Sequence, residues 1–269
     1  MHTKTRIGGI KMTTVRQILD MLEDFAPKQL AESWDNVGIM TGDHNQNVKC
    51  VLCALDVTEI VVREAIEKNA QLIIAHHPLI FTSVKNITQK TETGRAIRLA
   101  IKNDISVICM HTNADSTWGG VNDALANVLE LSDIISMEAG DNALLGRVGN
   151  LKTSMTPKDF ALYVKNKLGA GGVRFTNGGK NIKRVAVGGG ACGKLMDYAL
   201  AKDADAFVIG DCSYDLMQKA QSLGLTLVDA GHFPTENPVV KVFAQKVSEK
   251  FKDIQVLCSK THKDCIEFV

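Results

Sequence analysis

The sequence predicts an α/β fold of two similar lobes, each made of strand-helix-strand units around a mixed, largely parallel sheet. Three observations carry that expectation. Short apolar runs alternate with amphipathic stretches, the signature of parallel strands joined by crossover helices. The pattern occurs twice at nearly the same spacing, since Ile73 lies 22 positions after Val51 and Val208 lies 23 after Val185. Four of the seven histidines fall where strands should end, in a register that scattered surface histidines would not show.

In the first half, residues 51–55 form a strand. Residues 58–69 form a helix with Val62, Ala65 and Ile66 on one face, and residues 72–75 the next strand. A helix over 94–102 then leads to a strand over 105–110. The second half repeats this: a strand over 185–187, a helix over 194–202 carrying Leu195, Met196, Ala199 and Leu200, and a strand over 206–209. A helix over 213–223 and a strand over 225–228 complete it.

Residues 131–149 have little periodicity and contain Gly140, Gly146 and Gly149, which suits a crossover between lobes. Near the carboxyl end, Asn237 as cap, Pro238 at the first position and the stripe Val239, Val242, Phe243, Val247 and Phe251 predict a helix over 238–251. Residues 255–257 and 265–269 are candidate closing strands. The expected division is residues 1–135 with 228–269 as the first lobe and 136–227 as the second.

Hydrophobic residues make up 45% and charged residues 23%, an ordinary globular composition. Basic and acidic side chains number 31 and 30, and the net charge of +1 gives no electrostatic footprint for nucleic acid or an anionic membrane. Charged residues or glycine break every apolar run before 18 residues, which excludes a spanning helix. Residues 1–12 lack the apolar core of a secretory leader, and Met12 is an alternative start. A cytoplasmic location is expected. The seven cysteines are then reduced thiols. Cys50 and Cys53 form a C-x-x-C, but residues three apart on a strand face opposite ways, so both read as buried small hydrophobes rather than a zinc knuckle.

Three segments supply a ligand set. His76 and His77 end the strand over 72–75; the stretch HTNADSTWGGVNDAL brings His111 and Asp115; the stretch AGHFPTENP brings His232 and Glu236. Three or four imidazoles and two carboxylates exceed what one structural zinc takes, and they suit two divalent ions with a bridging carboxylate and open positions. Such ions make water a nucleophile near neutral pH. Zinc, iron and manganese all accept this donor mixture.

The match of Ser33-Trp34-Asp35-Asn36-Val37-Gly38, Leu55-Asp56-Val57-Thr58, His76-His77-Pro78, His111-Thr112-Asn113-Ala114-Asp115, Gly119-Gly120-Val121-Asn122-Asp123, the stretch 187–190, Gly231-His232 and Thr235-Glu236 spans nearly the whole chain. In these segments the sequence resembles the Nif-three-like dinuclear-metal proteins, labelled GTP cyclohydrolase I type 2 homologues. The resemblance implies a two-lobed α/β subunit, a di-metal site in the inter-lobe cleft and a toroidal homohexamer built as a trimer of dimers. Carried over by position, the metal ligands are His76, His77, Asp115, His232 and Glu236. His111 falls behind the ligands or against substrate, and the stretch from Trp34 to Asn36 shapes the site or forms a turn around a buried Trp. Tyr214-Asp215 departs from the Tyr-His of many members, and residues 151–183 are too few to hold the middle domain inserted in longer ones.

The run from Gly188 to Gly193 also fits G-x-G-x-x-G, with Asp211 at the next strand end. An NAD site would need a six-stranded sheet with uninterrupted mononucleotide halves, and Leu195 replaces the Ser or Thr of a working P-loop. The milder reading is a tight turn whose amides face the cleft, towards a phosphate. The function expected is metal-dependent hydrolysis of a nucleotide-like small molecule, with Glu236, Asp115 or His111 handling protons. The alternatives are a metal-handling protein without turnover and a ring-shaped scaffold.

Overall fold

A computed structural model of the chain describes residues 12–137 and 145–269. Its first stretch runs through α1 (Val15–Phe25), β1 (Gly38–Thr41), β2 (Cys50–Ala54), α2 (Glu59–Glu67), β3 (Leu72–Ala75), α3 (Glu92–Lys102) and β4 (Ser106–Cys109). The single-turn α4 (Thr112–Ser116) and α5 (Val121–Val128) follow. Next come β5 (Ser132–Ser136), β6 (Arg147–Met155), α6 (Pro157–Leu168), β7 (Arg174–Phe175), β8 (Ile182–Val187), α7 (Met196–Ala201), β9 (Ala206–Ile209), α8 (Tyr214–Ser222) and β10 (Thr226–Asp229). The chain closes with α9 (His232–Glu236), α10 (Pro238–Lys250) and β11 (Gln255–Cys258).

These strands make two mixed sheets, in the orders β1-β4-β3-β2-β11 and β5-β6-β8-β9-β10-β7. The pairs β11/β2, β2/β3, β3/β4, β8/β9 and β9/β10 are parallel; antiparallel β1 closes one edge of the first sheet, and β6 and β7 flank the parallel strands of the second. Central strands such as Leu72–Ala75 and Ala206–Ile209 are buried on both faces, hence their unbroken apolar runs. Cys50 and Cys53 sit in the cores on opposite faces of β2, as small hydrophobes do.

The two repeats exchange their last helices. After β4 the chain makes the one-turn α4 and enters α5, whose Leu125, Ala126 and Leu129 pack with Val185, Val187 and Phe160 of the second sheet's core. After β10 it makes the one-turn α9 and enters α10, whose Val239, Phe243 and Val247 pack with Val51, Ile74 and Ile108 of the first. The exchanged helices also touch each other. The chain therefore crosses between sheets at α4 and α9, the turns that carry His111/Asp115 and His232/Glu236. A buried ion pair reinforces one crossing: Arg147 of β6, fully buried, meets Asp123 of α5 at 2.7 Å and donates to the Thr117 carbonyl at 2.9 Å.

Four sequence expectations need correction. Residues 131–149 hold β5 and the start of β6; β5 is an exposed edge with a register shift between Ser132 and Ile135, so no clean alternation marks it. Gly140 lies outside the described residues. Residues 265–269 form no strand, because after β11 the chain leaves the sheet edge towards α2. Asn237 makes no side-chain cap: with φ −54° and ψ −26° it is already helical, since α9 runs directly into α10. The helix over 194–202 begins as a 3-10 turn, Gly193–Leu195, ahead of α7.

The departure of the tail is fixed by one carboxylate. Glu64 of α2, only 4% exposed, accepts from Ser259 Oγ at 2.5 Å, Thr261 Oγ1 at 2.7 Å and the Lys260 amide at 2.9 Å. Burial alone would raise its carboxyl, but these bonds outweigh that and hold it below the usual carboxylate range. A depressed carboxyl stabilises the fold above its unfolded value, and the contribution disappears as pH falls through the lower folded one. Glu64→Gln is expected to cost about 2 kcal/mol at pH 7. That difference should shrink on titration below the usual carboxylate range. Thermal melts of both proteins at pH 7 and pH 3.5 check this.

Candidate metal centre

All six residues singled out from sequence meet at the carboxyl ends of the parallel strands. His76 and His77 follow β3, with both amides donating to the Leu55 carbonyl beyond β2. His111 precedes α4, and Asp115 lies one turn along it. His232 opens α9, and Glu236 closes it, so both carboxylates stand four residues after a histidine on one helical face.

Every one of the four imidazoles is tethered through Nδ1. His76 donates to the Met110 carbonyl at 2.9 Å. His77 donates to Asp56 at 2.7 Å, His111 to Asp35 at 2.8 Å and His232 to Asp211 at 2.7 Å. An acceptor at Nδ1 selects the tautomer whose lone pair is on Nε2, the arrangement found behind histidines that ligate metals. Those Nε2 atoms converge on Glu236 Oε2, at 2.8 Å for His77, 3.0 Å for His232 and 3.8 Å for His76. His76 Nε2 is also 3.7 Å from Asp115 Oδ1.

These separations are a fit test for a cation. His76 Nε2 and Asp115 Oδ1 are buried and have no hydrogen-bond partner. A lone pair facing two carboxylate oxygens is repulsive unless a positive charge lies among them. Ligands held about 2.1 Å from one ion stand roughly 3 to 4 Å apart. Among the described residues, three sets have ligand atoms within 4.8 Å of one another: His76/Asp115/Glu236, His77/His232/Glu236 and His76/His77/His111. Glu236, the carboxylate shared by two of them, also has imidazoles of both repeats around it.

The electrostatics agree. Burial pushes the Asp115 carboxyl up to about 7. Burial would also raise Glu236, but His232, His76 and His77 hold it well below the usual carboxylate range. Burial would lower His77, yet Asp56 and Glu236 on its two nitrogens raise it to about 10. Glu236 and then Asp211 likewise bring His232 to about 9, against the effect of burial. Protons on these two rings balance charge that a divalent cation balances equally well.

The glycine run has a role other than the one its motif suggests. The Gly189 amide donates to Asn122 Oδ1 and the Gly190 amide to Thr235 Oγ1, both at 3.0 Å, so neither faces a phosphate or a dinucleotide. Asp211, the would-be ribose acid, holds His232 instead. A Cβ at Gly190 would come within 2.1 Å of Glu236 Oε1 and 3.0 Å of His232 Nε2, and Gly190 has φ +64°. The glycines let β8 end directly under Glu236. Asn122 Nδ2 meanwhile donates to the Asp115 carbonyl at 2.9 Å, joining the two halves of the site.

Asp35 proves to be a support, since Thr112 N at 3.0 Å and Thr112 Oγ1 at 2.5 Å donate to it beside His111. Trp34 is 56% exposed, not buried, and sits edge-on to Phe81 and His111 with centroids 5.8 and 6.2 Å away. Sequence reading assigned no role to Asp56 or to His262, which meets Asp56 at 3.0 Å. Asp56 lay within a recognised motif; His262 stood in a tail with no periodic signal. Asp215 is exposed at the rim of a separate cavity with Asp211, Ser213 and Lys219.

Gly190→Ala is expected to displace Glu236 and to cut metal retention by about tenfold or more, as loss of a ligand's support does, while the fold survives. Elemental analysis beside circular dichroism checks it, and normal metal content would refute the packing account.

Comparison with known proteins places the chain in a family. A family model described as Duf34/NIF3 (NGG1p interacting factor 3) matches residues 13–265. A "GTP cyclohydrolase 1 type 2 homolog" of Clostridium perfringens is 37% identical over 260 residues, covering 95% of this chain and 99% of its own length. The crystal structure of a Staphylococcus aureus hypothetical protein superposes with a TM-score of 0.89 at 30% identity, over 95% of this chain and 99% of that one. A Bacillus cereus protein related to NIF3 gives 0.87 at 29% identity, over 96% of this chain and 100% of that one. The chain belongs to the Duf34/NIF3 family.

Proposed function

We propose that the protein binds two divalent ions in the cleft between its sheets and uses them to hydrolyse a nucleotide-like small molecule. The observation that supports this most directly is the pair of buried, partnerless ligand atoms on His76 and Asp115 beside Glu236, His77 and His232. On this reading Asp115 and His76 would hold one ion and His77 and His232 the other, with Glu236 within reach of both sets. Zinc, iron or manganese fits the donors. The name of the Clostridium perfringens relative directs the substrate search to GTP and its analogues. The family resemblance further suggests a cytoplasmic homohexamer, a trimer of dimers.

Divalent ions supply Lewis acidity, polarising a carbonyl or phosphoryl oxygen and making water acidic near neutral pH. The chain's own contribution is orientation and proton handling. Glu236 is surrounded by three imidazoles and Asp115 is buried, which makes both ligands first. His111 is better placed to move a proton: Asp35 fixes Nδ1–H, so the neutral ring presents Nε2 as acceptor at a side chain 14% exposed. The exposed edges of Trp34 and Phe81 beside it offer a planar substrate ring a surface to stack on.

Replacing His76, His77 and Glu236 together by Ala should abolish bound metal in protein purified without added ions; full occupancy in elemental analysis would remove the site assignment. With the identified metal restored, a nucleotide and phosphoester panel should show turnover. His111→Ala is expected to reduce that turnover by roughly 10²- to 10⁴-fold while metal content stays. Weak, exchangeable metal with no turnover would assign metal handling instead.

Metal uptake should also release protons. His77 and His232, raised to about 10 and about 9, carry protons through neutral pH, and these must leave before Nε2 can ligate. Apparent affinity is therefore expected to rise with pH up to about 10. Isothermal titrations in buffers of different ionisation enthalpy measure this, and a pH-independent affinity would contradict it.

A further inference from the structure

Beyond β11 the chain is held in a way that serves the metal centre. Glu64 anchors Ser259, Lys260 and Thr261, and the Ser259 amide donates to the Cys53 carbonyl at 2.8 Å. Ser259 Oγ then accepts the His262 amide at 3.1 Å. This clamp delivers the His262 ring to Asp56, with Nε2 3.0 Å from Oδ2, while the ring packs edge-on against Phe233 at 5.1 Å. The His262 side chain is 11% exposed, whereas that of Asp56 is 38% exposed.

Asp56 Oδ1 is the acceptor for His77 Nδ1–H at 2.7 Å. We propose that His262 is a positioning residue of the metal centre: by donating to Asp56 it fixes the carboxylate that orients His77. The inference rests on the metal reading above. It draws its force from comparing the supports. Asp35, behind His111, is locked by the amide and hydroxyl of Thr112. Among the described residues Asp56 has no such main-chain donor; its two oxygens meet His77 and His262. Without His262, water would compete for Oδ2, and the loosely restrained carboxylate torsion would let Oδ1 leave His77. A buried glutamate with several tail donors is otherwise an elaborate anchor for a segment that forms no sheet.

The placement links the arm to whatever binds. His262, Asp264 and Ile266 wall a cavity of about 650 Å³ whose other lining includes His77, His232 and Phe233. The carboxyl-terminal arm thus forms one side of the space in front of two proposed ligands.

The test uses the full chain and Zn²⁺ alone, titrated against a chromophoric chelator. His262→Leu should weaken one of the two Zn²⁺ sites by roughly 10- to 100-fold, the usual cost of losing a ligand's support. His262→Gln, whose side-chain amide can still donate to Asp56, should recover most of that loss. In the metal-free protein the downfield proton resonance of His77 Nδ1–H should vanish in the Leu variant and persist in the Gln variant. Equal Zn²⁺ affinity and an unchanged resonance in His262→Leu would overturn the proposal. A Gln variant as weak as the Leu variant would overturn it too, by showing that ring packing alone matters. Absence of Zn²⁺ binding by the parent protein would remove the metal reading, and the His77 resonance would then decide the relay by itself.

Discussion

The carboxylate of Glu236 is a negative charge held at 4% exposure, and much of the surrounding architecture exists to make that burial tolerable. Isolated burial of a carboxylate is prohibitive, so positive charge must be gathered round it. His77 and His232, both raised by this carboxylate, do this with Nε2 at 2.8 and 3.0 Å, and His76 Nε2 lies 3.8 Å away. Each of those rings is tethered through its other nitrogen, to Asp56, Asp211 or the Met110 carbonyl. The opposite side of the carboxylate is closed by Gly189 and Gly190, where a side chain would have no room. Their amides are tied to Asn122 and Thr235, which stops the turn from relaxing away.

The helix exchange explains why this charge can be shared between lobes. In an uncrossed repeat, the turn after the third strand would return to its own sheet, and its ligands would face their own lobe. Here α5 packs on the second sheet and α10 on the first. The one-turn helices that begin each crossing are therefore pinned from both sides. Asn122, on α5, reaches both the Asp115 carbonyl and the Gly189 amide, so the distance between the halves is set by hydrogen bonds of 2.9 and 3.0 Å. Separating the lobes would break the core contacts of both exchanged helices before it moved a ligand, which is how a site on short turns gains the rigidity of packed elements.

Legibility in the sequence followed burial. The central strands announced themselves as apolar runs because both faces are covered, and the six site residues were found because they sit at the ends of those runs. Edge elements were harder: β5 is exposed and irregular, so nothing in Ser132–Ser136 separates it from a loop. The supports were harder still. Asp56, Asp211 and His262 meet their partners across 21, 21 and more than 200 positions of chain, and a polar residue at such separation leaves no periodic trace. The glycine run misled for a physical reason. Close approach to a pyrophosphate and close approach to a buried carboxylate require the same absent Cβ, and only the contacts of the amides distinguish them.

The two repeats are alike in path but not in what they donate, and the difference is informative. The first ends its second strand with His76 and His77; the corresponding place in the second holds Gly210 and Asp211, and Asp211 supports His232. The first half thus supplies three rings and the shorter carboxylate, the second a single ring and the longer one. Asp115 reaches His76 Nε2 but stays on its own side, whereas the extra methylene of Glu236 carries its oxygen across to His76 and His77 of the other half. A symmetric pair of aspartates at these positions would leave the centre without a shared oxygen, and a symmetric pair of glutamates would bring two buried carboxylates together. The Asp/Glu asymmetry thus leaves one carboxylate oxygen, Glu236 Oε2, within reach of imidazoles from both repeats.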